Sequence, residues 1–286
     1  MSPVVLRRFL GLCILCTATL AVAQGYRFQA ISVPGSSNTN TAGMNNGGDV
    51  VGNYDPFGGT VSHGFLYHAG HYSDVYYAGS YFTSPIGISN TGVIVGLYEN
   101  QNEPGINHGF VDVAGTYTRL DYPGAFTTQL HAINDSGQIV GAAAISPARQ
   151  GAFLYSNGTF TPFGVPGGTG TNPLAINNST QIVGYYNAVH GEAHGFLYAN
   201  GTYTTIDYPA GARDTWLTGI NNQGVIFGYY TDIGFQNHPF IYQNHSFTIL
   251  PVLRLGFAYF TGFNDSRQFV GWYATPRQIG FLGTPE

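Results

Sequence analysis

Three sets of residues in this 286-residue chain have the types and recurrence that chemistry needs. His63, His108, His194 and His238 recur like a metal-ligating or acid–base set. Glu99, Glu103 and Glu192, with Asp232 or His190, could supply the two carboxylates that flank a cleaved glycosidic bond, or a base beside a neutralising charge. Trp216, Phe126 and Tyr81, with His131, Arg213 and Glu192, have the make-up of a ligand-binding face, with rings to stack on a ligand and polar groups to orient it. Which set is real depends on the elements that place them.

Those elements repeat. The glycine of an "IVG" motif falls at Gly52, Gly96, Gly141, Gly184, Gly228 and Gly271, at intervals of 43 to 45 residues. The phenylalanine of an "HGF" motif keeps phase at Phe65, Phe110, Phe153, Phe196, Phe240 and Phe281. A period of this length marks stacked or radial units, each too small to bury its own apolar face. Each unit reads as four short strands, A to D, rich in β-branched and aromatic residues and bounded by Gly, Asn or Pro. In the fourth copy, A ends at Ala175 to Asn177, B is Gln181 to Tyr186, C is His194 to Tyr198 and D is Thr202 to Tyr208. The A to B turns carry Asn or Asp before a glycine at Gly92, Gly137 and Gly224, while Thr180 and Arg267 replace that glycine. Asn157-Gly158 and Asn200-Gly201 give the C to D turn the strongest short hairpin signal.

The two ends of the pattern decide its closure. Phe28 to Gly35 aligns with Tyr203 to Ala210 and Tyr117 to Gly124, so it is a D strand with no A, B or C before it. The sixth copy has A, B and C, ending at Gly283, and no D. A linear solenoid has no reason to split one unit between its ends, whereas a ring of blades closes in this way. The expected fold is all-β: a six-bladed β-propeller of four-stranded blades, about 44 residues each, with the N-terminal strand completing the last blade.

Residues 1–23 have Arg7-Arg8, an apolar run from Phe9, and Ala21-Val22-Ala23, the pattern of a cleaved secretory signal peptide. Residues 24–286 then form a single repeat domain, secreted to an extracellular or periplasmic location, with no membrane span in the mature chain. Cys13 and Cys16 are the only cysteines and leave with that segment, which removes disulfides, thiol nucleophiles and Cys-ligated zinc. All nine basic residues are arginine, and the net charge is −5 before processing. With 8% charged residues there is no basic patch for nucleic acid.

Placed on this scaffold, the histidines occupy one position of four different blades, and the other copies have Gly151 and Ile279 there. A structural role is expected for them, with no metal and no cofactor. No nucleophile elbow, HExxH motif or phosphate loop is present. The repeat resembles the extracellular HAF repeat family, named for a His-Ala-Phe motif that appears here as HGF at 63–65, 108–110 and 194–196, together with the GIN/AIN, IVGYY and DYPG segments. The resemblance covers residues 26–284 and implies a secreted bacterial protein without implying a reaction.

Function is then expected where the copies differ. The A to B and C to D turns share one uniform face. The B to C and D to A loops share the other, and there the B to C connections vary from six to nine residues. A non-catalytic protein binding a glycan or peptide on that variable face is the primary expectation, with Trp216, Phe126, Tyr81, His131, Arg213 and Glu192 as the binding residues and a monomer as the favoured state. A secreted glycan hydrolase or lyase, and a surface-assembly protein, are the alternatives. An enzyme is expected to converge two carboxylates on the central channel.

Overall fold

Alternating β-branched and aromatic runs, cut at short intervals by Asn, Gly and Pro, form strands and tight turns throughout. The computed structural model describes residues 25–59, 61–146, 149–209, 211–250, 258–274 and 276–286. The leader expected over 1–23 lies outside them. The first strand is β1 (Tyr26–Ile31). Blade 1 is β2 (Ser36–Met44), β3 (Val50–Pro56), β4 (His63–His68) and β5 (His71–Val75). Blade 2 is β6 (Ser80–Ile88), β7 (Ile94–Asn100), β8 (Asn107–Val113) and β9 (Thr116–Arg119). Blade 3 is β10 (Thr127–Ile133), β11 (Ile139–Ser146), β12 (Arg149–Ser156) and β13 (Thr159–Phe163). Blade 4 is β14 (Gly170–Ile176), β15 (Ile182–Asn187), β16 (Ala193–Ala199) and β17 (Thr202–Thr205). Blade 5 is β18 (Ala212–Ile220), β19 (Ile226–Asp232), β20 (Asn237–Gln243) and β21 (Ser246–Ile249). Blade 6 is β22 (Ala258–Phe263), β23 (Phe269–Ala274) and β24 (Gln278–Pro285).

The six sheets are antiparallel meanders of four strands, and β1 supplies the fourth strand of blade 6. It pairs with β24 in the register Phe28↔Gly283 and Ile31↔Gly280, closing a six-bladed β-propeller. The innermost strands β2, β6, β10, β14, β18 and β22 pack side by side in a closed ring around a central channel.

The turns carry the backbone their residues favour. Asn157 and Asn200 have φ of 50° and the glycines after them φ of 80°, the pair of positive values that a type I′ hairpin requires. Thr180 and Arg267, which stand where other copies have glycine, take the same left-handed region at φ 59°. The fourth strand of blade 4 is shorter than the sequence reads. It ends at Thr205, because Asp207 turns its carboxylate back to accept the Gly195 N–H and to meet His194.

Between blades lies the core. The strand C phenylalanines Phe65, Phe110, Phe153, Phe196, Phe240 and Phe281 are fully buried. Each meets the ring that begins strand D of its blade, at centroid separations of 5.0 to 6.3 Å. Such aromatic pairs add to the area they bury. The "IVG" glycine has a different cause. Strand A of every blade carries a β-bulge opposite it. The bulge presses the carbonyl of Asn40, Ser84, Gln129, Asn172, Trp216 or Tyr259 onto the glycine, well inside contact distance of any Cβ. The phenylalanine ring approaches too, but the backbone is nearer.

Candidate functional site

The bulges also build the channel wall. The extra residue in each inner strand is Ala42, Ile86, His131, Leu174, Thr218 or Thr261, and all six line the channel. A bulge re-aims one side chain out of the pleat. Here it turns one residue per blade into a lumen of about 440 Å³.

At the end of this lumen nearer the variable loops, the wall is lopsided. The residue after the "IVG" glycine is Asn53, Leu97 or Ala142 in blades 1 to 3 and Tyr185, Tyr229 or Trp272 in blades 4 to 6. Trp216 and Tyr259 pair across the ladder with Tyr229 and Trp272. These five rings line one side of the cavity. Trp216 lies 3.9 Å from Tyr185 and stacks at 6.0 Å on Tyr229, and Tyr259 stacks on Trp272 at 4.3 Å, centroid to centroid. Burial pushes the Tyr185 and Tyr229 hydroxyls to higher pKa, so both stay protonated at neutral pH.

Deeper, Gly43, Gly87, Ala132, Ala175, Gly219 and Gly262 leave space, and Met44, Ile88, Ile133, Ile176, Ile220 and Phe263 then form an apolar collar. The collar residues are all buried, and beyond them lies a separate cavity of only about 70 Å³. That second cavity belongs to the other mouth, which is built from the A to B turns.

This turn mouth is a hydrogen-bonded ring. Asn46, Asn90, Asp135, Asn178 and Asn222 each donate a backbone N–H to the side-chain oxygen of the next in that order, and Asp265 donates back to Asn46, with all six bonds between 2.7 and 3.0 Å. The Asp135 and Asp265 carboxylates each also accept two side-chain amides, from Asn90 and Asn178 and from Asn222 and Asn46. One residue inward, Asn45, Asn134, Asn177 and Asn264 bond the carbonyl of the adjacent blade. Their Oδ1 atoms fold the turns locally, Asn177 accepting the N–H groups of Ser179 and Gln181. The recurrent "IN" of the sequence is thus a clasp between blades.

Of the residues singled out from sequence, Trp216 and His131 line the same cavity, on β18 and β10. His131 Nδ1 donates to the Pro173 carbonyl at 2.7 Å, which fixes the tautomer and leaves Nε2 as the acceptor. Burial lowers its pKa, offset in part by that bond, and the ring is neutral at pH 7. The other four lie outside the lumen. Tyr81 and Phe126 are 44% and 41% exposed at the loop rim. Arg213 sits 3.5 Å from Asp214 and 4.6 Å over the Phe235 ring, and Asp214 accepts the N–H of Ala193 beside Glu192. The rings of Tyr185, Tyr229, Tyr259 and Trp272 were not among the sequence candidates.

The repeated histidines stay within their own blades. His108 bridges Asp121 and Glu103, His194 meets Asp207, His238 meets Asp232, and His63 stacks on Tyr76. Asp121, Asp207 and Tyr76 hold the same repeat position after strand D, so three of the four histidines are matched there, while the partner of His238 ends strand B. Glu103 is held below the usual carboxylate range, first by hydrogen bonds from Asn100 and His108. No group of three or more His, Cys, Asp or Glu residues suited to a metal ion occurs among the described residues. No Asp, Glu or Arg lines the 440 Å³ lumen among them either. No described helix is long and apolar enough to cross a membrane, which says nothing of a β-barrel.

No protein-family model matches the chain, and no curated protein matches it in sequence. Solved structures do. Virginiamycin B lyase from Staphylococcus aureus is similar at TM-score 0.52 and 12% identity, over 91% of this chain and 99% of that one. A gluconolactonase from Xanthomonas campestris is similar at TM-score 0.55 and 10% identity, over 94% of each chain. The SapL1 lectin, solved with alpha methyl fucoside, is similar at TM-score 0.55 and 9% identity, over 83% of this chain and 88% of that one. At these identities the likeness establishes the propeller fold alone.

Proposed function

We propose that this protein is an exported, non-catalytic carbohydrate-binding propeller whose site is the aromatic half of its channel. One observation carries the reading. Tyr185, Trp216, Tyr229, Tyr259 and Trp272 converge from three adjacent blades on one side of a 440 Å³ lumen, within the range of volumes that small-ligand sites occupy. Rings that bury one edge and present a face suit the apolar faces of pyranose units, while ring hydroxyls and His131 Nε2 supply hydrogen bonds. No carboxylate lines the lumen among the described residues, so an acid–base pair of the glycosidase kind has no place there. The lectin among the structural neighbours is a propeller that takes a saccharide, which is compatible with the reading. The Arg7-Arg8 leader pattern supports export, and the HGF repeats support membership of the HAF repeat family.

The test is optical. The chain has two tryptophans, Trp216 and Trp272, and both stand in the channel wall. Intrinsic tryptophan emission therefore reports on this site alone. Titration with a panel of neutral and acidic oligosaccharides is expected to shift that emission saturably for at least one neutral member. Trp216→Ala is expected to weaken the binding at least tenfold by calorimetry, the order of magnitude of a lost stacking platform. A panel that leaves the emission flat removes the reading.

A further inference from the structure

The channel has one usable entrance and an unsatisfied hydroxyl near its floor. From these features we infer that the site takes one end of a neutral glycan chain, inserted along the propeller axis, rather than an internal stretch laid across the face. The inference rests on the carbohydrate reading above and specifies its mode.

The floor comes first. The collar of Met44, Ile88, Ile133, Ile176, Ile220 and Phe263 separates the lumen from the small cavity behind it. Behind the collar, two tiers of side chains link one blade to the next, and the outer tier is an unbroken circuit of six hydrogen bonds. Widening that end requires breaking bonds of this circuit. The cavity on that side, about 70 Å³ against about 440 Å³, has little room for a further sugar unit, so the chain is expected to end above the collar.

The hydroxyl comes second. Thr218 is the bulged residue of β18, two positions deeper than Trp216, which places it roughly 6 Å further in. It is 7% exposed, lines the lumen, and its Oγ1 has no hydrogen-bond partner among the described residues. Its counterpart in the next blade, Thr261, instead spends its hydroxyl on the Thr41 and Val270 carbonyls. A buried polar group left unpaired is costly; the oxygen is shielded from the lumen, and rotation of the Thr218 side chain about χ1 would bring it to a ligand hydroxyl reaching past the Trp216 ring. His131 Nε2, from the same bulge position of blade 3, offers an acceptor of fixed tautomer.

Charge comes third. No charged side chain lines the lumen among the described residues, and His131 is neutral. A uronic acid, or the charged terminus of a peptide, would be desolvated there without a counter-ion. A neutral saccharide terminus has no such cost.

The experiment uses a neutral linear hexasaccharide that shifts the tryptophan emission, prepared in two further forms. One carries a bulky aromatic tag at the reducing end, the other at the non-reducing end. End-on insertion requires that one tag abolish binding and the other leave it within about threefold. Tolerance of both tags, or loss with both, overturns the end-on mode while leaving carbohydrate binding in place. A flat response to every saccharide instead removes the carbohydrate reading itself. Thr218→Val serves as the second arm. It is expected to weaken saccharide binding about tenfold with an unchanged or higher melting temperature, because the free protein loses an unpaired hydroxyl. Unchanged affinity overturns the role given to Thr218.

Discussion

The two mouths of the channel are made by the same six strands and are built on opposite plans. At the turn mouth all six blades do the same thing, each turn handing a hydrogen bond to the next until the circuit closes. At the loop mouth three blades contribute aromatic rings and three contribute Asn53, Leu97 and Ala142 at the equivalent position. A ring closes only if every member makes its bond, so the turn mouth has little freedom to vary. The loop mouth has no such closure to satisfy, and its residues are free to become unequal. Stability and recognition are thereby placed at opposite ends of one channel.

Substitutions that separate the two ends test this division. The largest effect belongs to the glycine both ends share. Gly228→Ala drives a methyl group into the Trp216 carbonyl and toward Phe240, and is expected to cost about 3 kcal/mol by urea denaturation. A loss under 1 kcal/mol would mean that the bulge is soft. Next is the turn mouth. Asn177→Ala removes bonds to Asn221, Gln181 and Ser179, at an expected cost of about 2 kcal/mol. Saccharide affinity should stay within twofold, and a larger change would show that the two ends are coupled.

Acid sharpens the contrast further. Burial works to raise the Asp135 pKa, but hydrogen bonds from Asn178 and Asn90 outweigh it and hold the carboxyl below its ordinary range. A folded-state pKa lowered in this way contributes stability that is present above the unfolded value. It is lost as pH falls through the folded one. Thermal melts below about pH 4 should therefore fall less steeply for Asp135→Asn than for the parent, and identical slopes would remove the carboxylate from the account. The smallest effects are expected at the rim. Tyr81→Ala and Phe126→Ala should leave both melting temperature and saccharide affinity nearly unchanged, and a binding loss at either would extend the site onto the outer loops.

Much of the architecture is legible in the sequence because it repeats. Two in-phase anchors give the blades, and the lone D strand at Phe28 predicts the seam with β24 that the structure contains. The bulge is not legible, because all six copies carry it and no alignment gap marks it. Its one trace is the "IVG" glycine, which reads equally well as space for a ring. For the site, loop-length differences direct attention to the rim, where Tyr81, Phe126, Arg213 and Glu192 lie. The aromatic cluster leaves a different signal, a substitution at a fixed repeat position from Asn53, Leu97 and Ala142 to Tyr185, Tyr229 and Trp272. Comparing residues at constant phase, rather than loops of changing length, finds it.

The seam between β1 and β24 joins positions such as Tyr26 and Pro285, near opposite ends of the described chain. Contacts of such long sequence separation form slowly, since loop-closure entropy must be met before they contribute. Until they form, blade 6 presents the unpaired edge of β24 and the chain carries β1 as a strand without a sheet. Each can be satisfied by the matching partner on a second molecule as well as on its own. Refolding is therefore a competition between cyclisation and exchange. Dilution favours the monomeric ring, and crowding favours dimers that trade their first strands.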